Sequence, residues 1–91
     1  MDNLNRSSFH QRLLSFDDGA YYVLFDNRRY LLRKETHLSG KLIKVYAEEL
    51  GGTNFISLNY YPQTLNGLLK PCEMADKKVI AFIDNCHTVT L

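Results

Sequence analysis

The chain has 91 residues, of which 45% are hydrophobic and 23% charged, with a formal net charge of +1. A chain of that length forms one domain and buries roughly 60–65% of its extended surface, enough for a modest core without disulfides or a structural metal. Near-neutral charge gives no overall drive toward nucleic acid or a membrane, and no apolar run reaches the ~20 residues of a membrane span. Cys72 and Cys86 are too few for a disulfide framework. The first fifteen residues alternate polar and apolar without the hydrophobic stretch of a secretory leader, so a reducing, cytoplasmic setting is expected.

Residues 1–7 are polar and are expected to be flexible. Ser8-Phe9-His10-Gln11 fits a capping box, starting a short helix that runs through Leu14. So short a helix is unstable alone and must lay Phe9, Leu13 and Phe16 on the sheet or on a second chain. Asp17-Asp18-Gly19 is a turn signal, and Ala20 to Phe25 is rich in β-prone residues. Asp26-Asn27 tolerates left-handed geometry, and Arg28 to Glu35 resumes a strand, so residues 20–35 read as a hairpin. Leu38-Ser39-Gly40 turns the chain into the most sharply specified stretch, Gly40 to Tyr61. There Ile43, Val45 and Ala47 share one strand face, as do Ile56, Leu58 and Tyr60, with Gly51-Gly52 expected to form a primed turn between them.

Pro62 marks a strand end. Asn66-Gly67, flanked by Thr64-Leu65 and Leu68-Leu69, reads as a last hairpin arm ending at Pro71. The period then changes: Val79, Ile80, Ile83 and Cys86 form one helical stripe, with Phe82 at its margin and Lys77, Lys78 and Asp84 outward. Glu73 and Asp76 sit near the start of this helix, and Asn85 ends it. His87 to Leu91 is a β-prone tail that pairs with an edge or frays. The expected fold is a single two-layer α+β domain over residues 1–91: an antiparallel meander of about five strands, a C-terminal helix on one face and a short N-terminal helix.

Three constellations bear on function. Between Arg28 and Lys44 lie six of the eleven basic residues, interleaved with tyrosines. Arg28, Arg29, Arg33, Lys34 and Lys44 with Tyr30, Tyr46 and their neighbours suit a sheet that stacks single-stranded bases and binds their phosphates. No RNP or GXXG motif accompanies them, and Tyr is a good strand residue in its own right. Cys72, just before the C-terminal helix, would gain thiolate character from a helix N-terminus, but Glu73 opposes it and no base stands at motif spacing. A buried, inert Cys72 is expected, with a thiol enzyme as a third functional class. A zinc site from Cys72, Cys86, His87 and His37 lacks the paired close ligands that such sites use, so no metal or cofactor is expected. Glu48 and Glu49 point to opposite strand faces and cannot serve one substrate together; Glu49 is expected to turn to solvent beside the loop.

The leading expectation is interaction without catalysis. Tyr21, Val23 and Phe25 oppose Tyr22 and Leu24, and Leu31 lies opposite the stripe of Tyr30 and Leu32, so the first two strands are apolar on both faces. Strands of that kind are covered on both faces. One helix covers one face, which leaves the N-terminal segment, a second copy in a homodimer or another protein partner for the other. Tyr22, Leu24, Tyr30 and Tyr46 are the expected anchors.

Overall fold

Asp26 and Asn27 take φ values of 54° and 62° and join two strands in a two-residue turn, as the sequence leads one to expect. Those strands are β1 (Gly19–Phe25) and β2 (Arg28–His37). The structure is a computed structural model that describes residues 2–63 and 67–89, with side chains from Ser8 onward. Around the first hairpin stand helix α1 (Asp2–Ser15), a 3-10 turn at Leu38–Gly40, β3 (Leu42–Glu49), β4 (Phe55–Tyr61), β5 (Leu68–Pro71), helix α2 (Asp76–Asn85) and β6 (His87–Thr88). Among the described residues the sheet has six antiparallel strands in the order β5-β4-β3-β2-β1-β6. Strands β1 to β5 are a meander; α2 then carries the chain back to the opposite edge, where the tail adds β6 beside β1. The fold class is the expected α+β, with the tail as a further strand.

Both helices lie on the same side of the sheet. Ile43, Val45, Ala47, Ile56, Leu58 and Tyr60 are buried there, as the alternation requires, together with Val23, Tyr30, Leu32 and Leu69. From α2 come Val79, Phe82 and Ile83, with Cys86 just past its end; from α1 come Phe9 and Leu13. Full burial of such side chains contributes ~1.5–3 kcal/mol each. Two aromatic clusters fix the helices. Phe82 meets Tyr30 and Phe25 at centroid distances of 5.0 and 4.9 Å, and Phe9 meets the Tyr60 ring edge-on at 5.3 Å.

Four local expectations are corrected. Helix α1 begins at Asp2, so Ser8 is mid-helix and caps nothing; the S-x-x-Q pattern reads alike in both places, and docking of Phe9 and Leu13 sustains the longer helix. The β3–β4 connection is a loop over Leu50–Asn54, and only Gly51 of the glycine pair has positive φ. Gly52 instead leaves room for the Glu49 carboxylate: a Cβ there would lie 2.4 Å from its carboxyl carbon, so that side chain would have to shift. On α2, Val79 and Ile83, with Cys86 just past its end, are buried as expected, but Phe82 is fully buried and Ile80 only half-buried, the reverse of the expectation for these two, because the helix seats Phe82 between Tyr30 and Phe25. Asp84 is half-buried rather than outward, and burial raises its pKa while nearby Arg12 lowers it. Thr64, Leu65 and Asn66 lie outside the described residues; Leu68–Pro71 pairs with β4, and the strand ends at Pro71.

Helix C-termini leave carbonyls without partners, and here cations from other elements satisfy them. Lys34 of β2 is buried and its Nζ donates to the carbonyls of Leu13 and Phe16 at 2.9 and 2.5 Å. Arg12 of α1 donates through Nε to the Ile83 carbonyl at 3.1 Å and through Nη2 to that of Cys86, with its guanidinium 5.5 Å from the centre of the Phe16 ring.

Candidate interaction surface

The side of the sheet away from the helices carries no further layer among the described residues. Alternation decides what it presents. With Val23, Tyr30, Leu32, Val45 and Ile56 turned inward, Tyr22, Leu24, Arg29, Leu31, Arg33, Lys44, Tyr46, Glu48 and Phe55 face out. Register then sets them in rows across the strands. One row is Tyr22, Leu31, Glu48 and Phe55; the next is Ala20, Arg33, Tyr46 and Ser57; a third is Glu35, Lys44, Asn59 and Lys70. Tyr46 is 43% exposed, and its ring lies 6.2 Å from that of Phe55. The result is an oblique apolar band from Leu24 and Tyr22 through Leu31 to Tyr46 and Phe55, bordered by charge.

Most charges on this face have no partner among the described residues. Among the described residues the side chains of Arg29, Arg33, Lys44, Glu48 and Lys70 form no hydrogen bond or ion pair. Only Glu35 is engaged, accepting from His37 Nε2 at 2.9 Å on its own strand. Several cations on the helix side are committed, although Lys77 of α2 has no partner among the described residues. Besides Lys34 and Arg12, Arg28 Nη1 donates to Glu49 Oε2 at 2.7 Å, and Lys78 Nζ donates to Asn54 Oδ1 at 2.8 Å.

Of the expected anchors, Tyr22, Leu24 and Tyr46 share the open face. Tyr30 does not: it is 1% exposed, packs on Phe82, and its hydroxyl accepts from Asn54 Nδ2 at 2.8 Å. Even numbers on β2 point toward the helices, and Tyr30 goes with them. The same parity removes Lys34 and Arg28 from the basic set. Lys34 is buried, its pKa lowered chiefly by that burial. Arg28 is held at the strand end by Glu49, whose own pKa that hydrogen bond lowers. Glu49 therefore does not turn freely to solvent; it also accepts from the Asn54 amide at 3.2 Å and so ties the loop. Arg29, Arg33 and Lys44 remain on the face, joined by Lys70. Leu31, Phe55 and Lys70 were not singled out as site residues by sequence reasoning, although the alternation that buries Ile56 and Leu69 already turns Phe55 and Lys70 outward.

Cys72 is exposed, not buried, and lies outside α2, whose first residue is Asp76. Cys86 is the buried thiol, and burial pushes its pKa up to about 11. No three His, Cys, Asp or Glu side chains converge on a metal position among the described residues. A groove of about 560 Å³ opens where α1, β1 and β6 meet, lined in part by Arg12, Phe16, Tyr21, Tyr22, His87 and Val89. Burial and the nearby Asp17 carboxylate push the Tyr21 hydroxyl there up to about 12. Three distant segments build that groove, so no local signal announces it.

No described helix is long and apolar enough to cross a membrane. Comparison of the chain with protein-family models, with curated proteins and with solved structures returns no match.

Proposed function

We propose that the protein is a small, non-enzymatic interaction module that acts through its open sheet face, and that the occupant of this face is a second copy of the same chain. One observation carries this reading: both helices pack on one side, leaving the band of Tyr22, Leu24, Leu31 and Tyr46 without a covering layer among the described residues, with Phe55 at its end beside Lys78. Strands that are apolar on both faces are ordinarily covered on both. The size also fits. Six strands at ~4.8 Å spacing and ~3.3 Å per residue give a plane of ~500 Å², which side-chain relief brings toward the ~800 Å² per partner of a standard interface. Tyrosines and arginines beside an apolar centre are the residue types that dominate such contacts. Two free thiols fit a reducing, cytoplasmic setting.

A second reading has its own support. Arg29, Arg33, Lys44 and Lys70 outnumber Glu35 and Glu48 on this face, and Tyr46 and Phe55 stand among them, which suits a single-stranded nucleic acid. Salt separates the two, because phosphate contacts weaken steeply with ionic strength and apolar association does not. Light scattering at low and high salt is expected to give a dimer mass at both. The Leu31→Asp variant is expected to be a monomer with an unchanged far-ultraviolet circular dichroism spectrum. A wild-type monomer at both salt concentrations would end the self-association reading. Salt-sensitive oligonucleotide retention by that monomer would then assign the face to nucleic acid.

A further inference from the structure

Resting on the self-association reading, we infer that the two copies pack face to face about a two-fold axis running along the strands, between β2 and β3. The register carries this. Such an axis exchanges β2 with β3 and β1 with β4 while leaving each residue in its row. Every row can then be read against itself reversed. Glu35 of β2 falls over Lys44 of the second copy, and Lys44 over its Glu35, because the two residues are row partners within one chain. Arg33 falls over the Tyr46 ring of the second copy for the same reason, a cation over an aromatic face. Tyr22 falls over Phe55, its partner at two strands' remove through Leu31 and Glu48. Glu48 of one copy meets Leu31 of the other, but Arg29 and Arg33 flank Leu31 on β2 and bracket that carboxylate.

Face-packed sheets sit ~10 Å apart, a gap that long side chains from both copies span together. The usual ~30° rotation between aligned sheets displaces the corners most and the strands beside the axis least, so the pairs on β2 and β3 are the ones retained. The alternative two-fold, across the strands, sets positions of the same strand against each other. Midway between the central rows its axis would lay Leu31 under Arg33 and Tyr46 under Glu48; on the Leu31 row it would set Glu48 against Glu48, and on the Arg33 row Arg33 against Arg33. Along-strand symmetry instead gives partners to Lys44, Arg33 and Glu48, which form no hydrogen bond or ion pair in the single chain among the described residues.

A charge-reversal pair tests this. In E35K positions 35 and 44 are both cationic, and in K44E both anionic, so each variant alone sets like charges against each other across the axis. Each dimer dissociation constant is expected to rise about tenfold or more in low salt, as two pairs per dimer turn repulsive. An equimolar mixture is expected to form a heterodimer of near wild-type affinity. Circular dichroism of each variant checks that the fold persists. The mixture isolates the contact between copies, because the repulsion within each chain is unchanged by mixing. If wild type is monomeric, the underlying reading fails. If wild type is dimeric but the mixture dissociates as readily as its components, the symmetry proposed here is wrong and the reading stands.

Discussion

The two faces of this sheet are made from the same strands, yet they differ in how completely they are satisfied. On the helix side, aromatic rings meet at 4.9–5.3 Å, and Lys34, Arg12, Arg28 and Lys78 each have a named acceptor. On the open side, an apolar band is bordered by cations and a carboxylate that bond to nothing else among the described residues. The face packed within the chain governs stability, with Asp84 Oδ1 of α2 its one buried side-chain atom that lacks a hydrogen-bond partner among the described residues. A face left incomplete governs what the chain meets. Mutations on the two sides should therefore separate cleanly into those that unfold the protein and those that change its mass in solution.

The largest effect is expected at the centre of the completed face. Phe82→Ala removes a ring packed between Tyr30 and Phe25 and should cost about 3–5 kcal/mol in urea unfolding. Leu31→Ala on the open face should cost about 1 kcal/mol or less when measured below the dimer's dissociation constant. Equal losses would erase the distinction. A middle-sized effect belongs to Lys34. Lys34→Met keeps the apolar stem but leaves the Leu13 and Phe16 carbonyls without their donor. A loss of about 1–3 kcal/mol is expected, with helical circular dichroism at 222 nm falling first if α1 releases before the sheet.

The smallest effect is a pH dependence. Burial raises the Cys86 thiol from its ordinary 9.0 to about 11, so the folded state keeps this proton after the unfolded chain has lost it. Its contribution is whole below pH ~9 and is lost between pH ~9 and ~11, a fall on the order of 2 kcal/mol. Unfolding free energies compared at pH 8 and pH 11 should show a shallower alkaline loss in Cys86→Ala. Part of the loss should remain in that variant, because Tyr21, raised to about 12, acts with the same sign at slightly higher pH. An identical alkaline slope in both proteins would mean that Cys86 is not sealed from water.

Strand positions and their inward residues were legible in the sequence because a period of two depends on neighbours alone. So was the Asp26-Asn27 turn, whose left-handed geometry few residue pairs accept. The site was legible in part. Tyr22, Leu24, Tyr46, Arg29, Arg33 and Lys44 follow from parity, but Tyr30, Lys34 and Arg28 were grouped with them by proximity in the chain, where adjacent strand residues face opposite ways. The role of Lys34 was beyond local reading, since its acceptors lie 21 and 18 residues earlier, in the last turn of α1 and just past it. The side on which α1 docks was equally hidden: an amphipathic helix announces its apolar stripe, not the surface that receives it.

Arg12 illustrates a wider property of the chain. From the first helix it grips carbonyls 71 and 74 residues downstream, while its neighbour His10 bonds through Nδ1 to the Tyr60 hydroxyl, 50 residues on, at 2.5 Å. Contacts that span most of the chain carry the largest loop-closure entropy and are made only when the intervening elements already stand in place. Helix α1 is therefore a clasp that ties its own C-terminal turn to the end of α2. During synthesis Lys34 and Tyr60 emerge before α2, so the carbonyls that Arg12 binds are the last part of the receiving surface to leave the ribosome.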